Sequence, residues 1–79
     1  MLIDADEISD MPVGKTIKRE ASGHALATVH RDSKSRWTMS CAWPGTLNNA
    51  QVKLSAIQLK DPAVVQRELT KALRTIFGK

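Results

Sequence analysis

Polar and apolar positions alternate from Lys15 to Trp43, and this period marks strands. Three stretches read that way, Thr16–Ala21, Ala25–Arg31 and Ser35–Trp43. Ser22-Gly23 and Asp32-Ser33-Lys34 between them carry turn chemistry. The third stretch is the clearest. Trp37, Met39, Cys41 and Trp43 alternate with Arg36, Thr38, Ser40 and Ala42, so one face is large and apolar and the other small and polar.

Loop lengths set the expected register. A first loop of 22–24 places Ala21 opposite Ala25, Arg19 opposite Ala27 and Ile17 opposite Val29. A second loop of 32–34 places Val29 opposite Trp37, Ala27 opposite Met39 and Ala25 opposite Cys41. The apolar residues then share one face, Arg19 excepted, and a one-residue slip would mix the faces. Pro44-Gly45 ends the meander. In residues 50–60, Val52, Leu54 and Ala56 alternate as in a strand, and the parity then shifts to Ile57 and Leu59, as at a bulge near Ser55. A helix using Leu47, Ala50, Leu54 and Ile57 is the alternative.

The last element is a helix. Asp61 suits the N-cap and Pro62 the first helical position. Val65, Leu69, Ala72, Leu73 and Ile76 form an apolar stripe, Gln66, Arg67, Thr70, Lys71 and Arg74 line the other side, and Gly78 follows. At the other end, Asp4 and Glu7 have capping-box spacing, which fits one helical turn or a frayed end. The expected fold is α+β. It is a small antiparallel sheet, a three-strand meander with a fourth strand, covered on one face by the C-terminal helix. One domain spans 1–79, with an acidic segment 1–14, a sheet region 15–60 and a helix 61–78.

The 79 residues give a marginal core, since a lone core of this size supplies only about 3–5 kcal/mol. The single cysteine, Cys41, rules out an intramolecular disulfide. A homodimer is one way to add stability. No apolar run is long enough to span a bilayer, and residues 1–10 lack the basic and apolar regions of a signal peptide, so the expected setting is a reducing cytoplasm.

Charge is divided unequally. Residues 1–10 hold Asp4, Asp6, Glu7 and Asp10 and no base. Residues 11–79 hold all 12 Lys and Arg against four acids, a balance of +8 that favours polyanions.

Catalytic and metal motifs fail on spacing. Gly14-Lys15-Thr16 has Ser9 where a phosphate-binding loop needs glycine. Asp4, Asp6 and Asp10 are followed by Lys15 where a calcium loop needs glutamate. His24 and His30 on one strand would sit roughly 20 Å apart, too far to share an ion. Cys41 and His30 fall on opposite sheet faces. The expectation is no enzyme, no metal and no cofactor.

The face opposite the helix collects Thr16, Lys18, Thr28, His30, Arg36, Thr38 and Ser40, with Glu20 and Leu26 beside them. The expected cross-strand rows are Thr16–His30–Arg36 and Lys18–Thr28–Thr38. Hydroxyls and cations together grip phosphates, whereas an ordinary solvated face needs no partner. Candidate contact residues are Lys18, His30 and Arg36, with Lys34 from the loop. A meander followed by a helix is loosely similar, in topology only, to arm-type DNA-binding domains of integrases and to double-stranded RNA-binding domains. The latter place bases at the start of the last helix, where this chain has Asp61-Pro62-Ala63-Val64. Two classes of function follow. One is a non-catalytic module with a basic body that binds nucleic acid. The other is a compact protein-binding inhibitor or adaptor, of the kind mobile elements encode, that meets an acidic protein surface on nucleic-acid machinery.

Overall fold

The structure is a computed structural model that describes residues 3–21, 25–43 and 46–77. The expected turn residues Ser22-Gly23, Pro44-Gly45 and Gly78, and the metal candidate His24, lie outside these. The element order is α1 (Ala5–Ser9), β1 (Thr16–Ala21), β2 (Ala25–Ser33), β3 (Arg36–Trp43), β4 (Thr46–Lys53), α2 (Ala56–Leu59) and α3 (Pro62–Phe77). The strands form one antiparallel sheet in the order β1-β2-β3-β4. The α+β fold is therefore as the alternation implies, with α3 packed on one face of the sheet.

The β1–β2 register matches the loop arithmetic, with Ile17 opposite Val29 and Arg19 opposite Ala27. The β2–β3 register differs from it by two residues. Val29 faces Met39, Ala27 faces Cys41 and Arg31 faces Trp37. The hairpin turns tightly at Lys34–Ser35, and the ladder shifts between Arg31 and Ser33, so Asp32 is the extra residue of a bulge. Because side chains alternate with period two, an even shift leaves every residue on its expected face. The predicted rows are corrected to Thr16–His30–Thr38 and Lys18–Thr28–Ser40.

The fourth strand begins at Thr46 and ends at Lys53, earlier than expected. The parity shift near Ser55 is a helix start. The Ser55 hydroxyl accepts the Gln58 N–H and the Gln58 side chain accepts the Ser55 N–H, a reciprocal cap on α2. The cap on α3 is as expected, with the Asp61 carboxylate accepting the Ala63 N–H at 3.0 Å.

The core lies between the sheet and the helices. Ala27, Val29, Trp37, Met39, Cys41 and Val52 bury their side chains from the sheet, and Val65, Leu69 and Leu73 close it from α3. Ala72 and Ile76 are partly buried against them. The N-terminal turn is a structural element. Ile3 and Ile8 are fully buried, and Ala5 and Met11 nearly so. Glu7 accepts the Asp4 N–H within α1, and Gln66 of α3 donates to Asp6 at 2.6 Å. A turn over Pro12–Lys15 leads into β1. Its third residue, Gly14, has φ +87°, a conformation glycine adopts without penalty.

Candidate functional site

Strand parity leaves the other sheet face without a helix. Thr16, Lys18 and Glu20 come from β1, and Leu26, Thr28, His30 and Asp32 from β2. Arg36, Thr38, Ser40 and Ala42 come from β3, and Leu47, Asn49, Gln51 and Lys53 from β4. The middle is a shallow trough of about 480 Å³ lined by Thr28, His30, Thr38, Ser40, Asn49 and Gln51, with the backbone of Met39 and Ala50 beneath. Its walls offer hydroxyls, amides and an imidazole, which donate and accept hydrogen bonds in roughly equal measure.

The bulge organises one end of this face. Asp32 is the residue thrown out of the ladder, and its carboxylate gathers three neighbours. Arg36 Nε meets Oδ2 at 3.0 Å, and His30 Nε2 meets Oδ1 at 3.3 Å. The Thr38 hydroxyl donates to Oδ1 at 3.4 Å. His30 Nδ1 is 2.7 Å from Thr16 Oγ1. With the imidazole proton on Nε2 facing Asp32, Nδ1 is left to accept from the Thr16 hydroxyl. The carboxylate is 22% exposed and the Arg36 side chain 46%, so the pair is partly screened.

A hydroxyl, an imidazole and a carboxylate in series is the order found in nucleophilic triads. Here the carboxylate is shared with a guanidinium. The hydroxyl lies on an open sheet face, where water competes with any group that would hold transition-state charge.

The four candidate contact residues separate into three places. His30 and Arg36 both sit beside Asp32. Lys18 is exposed on β1, in the row of Thr28 and Ser40, with no ion pair among the described residues. Strand spacing and rise put its Cα roughly 17 Å from that of Arg36. Lys34 is exposed at the hairpin tip and lines a cleft on the helix side with Ser9, Asp10, Leu59 and Pro62. Lys53 lies directly opposite Arg36 and adds a cation to this end of the open face. The alternation of β4 carried that signal, because Lys53 has the parity opposite to Val52. Asp32 was hidden, since the sequence reading placed it in a loop.

Two other bases are engaged elsewhere. Arg19 is paired with Glu7 of α1. Arg31 lies on the core side, where Nη1 donates to the Met11 carbonyl at 2.6 Å and Nη2 to the Lys34 carbonyl at 2.8 Å. The outer side of α3 displays Arg67, Lys71 and Arg74, all exposed. Among the described residues, no group of three or more His, Cys, Asp or Glu is placed to hold a metal ion. No helix there is long and apolar enough to cross a membrane.

Comparison with known proteins gives no match: no family model, no curated protein and no solved structure is similar to this chain.

Proposed function

We propose that the chain is a non-catalytic binding module whose open sheet face holds a nucleic-acid strand. The observation that carries this reading is the uncovered trough of hydroxyls and amides with cations at its margins. Lys18 stands on one side of it, and Arg36 and Lys53 at the end where Asp32 sits. Hydroxyl, amide and cationic donors are the groups that contact phosphate and sugar oxygens. His30 and Thr38 supply further polar contacts at the same end. Lys34 lies on the helix side of the hairpin tip, in a cleft with Asp10, and stands apart from this surface.

The trough is lined by no Phe, Tyr or Trp, and its one ring, the His30 imidazole, is held between Thr16 and Asp32, so this reading puts the contacts on the backbone and makes them independent of sequence. Binding of fluorescent random-sequence DNA and RNA at low salt tests this. Retention that weakens as salt rises is expected. If neither polymer is retained, the module is a protein-binding inhibitor or adaptor instead. The exposed Leu47 beside Ala42 and Leu26 at the far end of the face favours that second reading, because it gives an apolar foothold for a protein surface.

A further inference from the structure

One side chain on the open face can change its charge near neutral pH. Histidine titrates between about pH 5 and 8, and His30 lines the trough at the end where Arg36 and Lys53 add their cations. Its ring is held from two strands. Nε2 is 3.3 Å from Oδ1 of Asp32 on its own strand, and Nδ1 is 2.7 Å from the Thr16 hydroxyl on β1. The charged groups that share this face with it come from all four strands. Asp32 is in contact, and Arg36 of β3 meets the other oxygen of that carboxylate at 3.0 Å. Lys53 of β4 lies opposite Arg36, and Lys18 and Glu20 follow Thr16 along β1. α3 packs against the other face of the sheet.

Both partners of the ring respond to a proton. In the neutral ring Nε2–H donates to Asp32, and Nδ1 accepts from the Thr16 hydroxyl. In the imidazolium both nitrogens are donors. The contact with Asp32 persists and becomes an ion pair, so one carboxylate then answers two cations. At Nδ1 the bond must reverse: Nδ1–H donates and Thr16 Oγ1 accepts. The hydroxyl hydrogen of Thr16, an exposed residue, is released to the open face. The group formed by His30, Asp32 and Arg36 passes from neutral to one positive charge, and a new donor appears beside it.

We propose that protonation of His30 tightens the hold of the open face on phosphate, so that the module binds nucleic acid more strongly in acid. The switch rests on the nucleic-acid reading and adds a control by pH to the same site. A phosphate oxygen accepts hydrogen bonds and carries negative charge, so it gains from both changes.

Affinity for a fluorescent oligothymidylate, whose bases keep their charge over this range, is measured at about pH 5.5 and about pH 7.5. On acidification affinity should rise about fivefold or more at about 0.1 M salt. The slope of log affinity against log salt should steepen by about 0.7, the single-strand value for one contact. His30→Gln keeps a polar side chain that does not titrate, and should bind equally at both pH values. His24→Gln removes the other histidine of the chain and should keep the response. Nitrogen NMR of the His30 ring needs no nucleic acid, and should find hydrogen on Nε2 alone near neutrality and on both nitrogens in acid. Equal affinity of the wild type at the two pH values overturns the switch and leaves the nucleic-acid reading standing. Retention at neither pH overturns both. A response that survives His30→Gln or is lost with His24→Gln, or a neutral ring with its hydrogen on Nδ1, also overturns the switch.

Discussion

The guanidinium of Arg31 lies 4.4 Å from the centre of the Trp37 indole, and the two residues are direct partners across the β2–β3 ladder. Trp37 is fully buried, and its Nε1–H donates to the Ile8 carbonyl at 2.8 Å. Arg31 donates to the Met11 carbonyl on the same side. Together they tie the end of α1 and the Met11 backbone that follows it to the sheet, the Ile8 carbonyl accepting the indole N–H besides the Asp10 N–H of the helix end. The Arg31 Nε is buried without a partner, a cost set against the two bonds and the stacked ring.

Arg31→Ala should destabilise the fold by about 2–3 kcal/mol, because two carbonyls lose their donor and the indole loses its cover. Arg31→Lys should recover little, as an ammonium cannot span both carbonyls while stacking on the ring. Urea unfolding of the three proteins measures this. Wild-type stability in Arg31→Ala would show that the tie does not hold α1.

Ile8→Ala should cost about 2–5 kcal/mol, in the same range as Leu69→Ala and Leu73→Ala, because all three side chains are fully buried. A frayed N-terminal turn would instead leave thermal stability unchanged in the Ile8 variant alone. Parallel thermal melts separate these outcomes.

Much of this architecture was written in the alternation. Trp37, Met39 and Cys41 could face only one way together, and the Asp61-Pro62 start and the Leu69/Leu73 stripe could serve only a helix. The β2–β3 register was not legible, because a two-residue turn and a one-residue bulge together keep the parity of the expected three-residue loop, and the bulge is held by tertiary partners: Arg36 and His30 for Asp32, Met11 and Lys34 for Arg31. The place of α1 in the core was hidden for a similar reason. Five helical residues give too short a period to read, and their burial depends on Trp37 and Gln66, distant in sequence. At the candidate site, the faces of Lys18, His30 and Arg36 followed from parity. The sharing of Asp32 between His30 and Arg36 did not.

Trp37 also reports on the sheet by fluorescence. In a Trp43→Phe variant the remaining indole should emit to the blue and resist iodide quenching, since Trp37 is fully buried. Ready quenching would contradict the packing of α1 and α3 over β3.

The nucleic-acid reading makes a prediction that turns on Asp32. Its carboxylate occupies Arg36 and repels phosphate at the same end of the face. Asp32→Asn keeps the size of the side chain, removes the negative charge and releases the guanidinium. The pair is partly exposed, so the stability change should stay within about 1 kcal/mol. Affinity for random-sequence DNA or RNA should rise several-fold. Lys18→Ala and Arg36→Ala should act in the opposite direction, each flattening the slope of log affinity against log salt by roughly one unit. Arg74→Ala on the outer side of α3 is the control, because it removes the same charge from the other side of the molecule. If Arg74→Ala flattens the slope while Lys18→Ala and Arg36→Ala do not, phosphate is held by the helix. The open face is then the contact surface only if Asp32→Asn and the two alanine variants move affinity in opposite senses and Arg74→Ala leaves it alone.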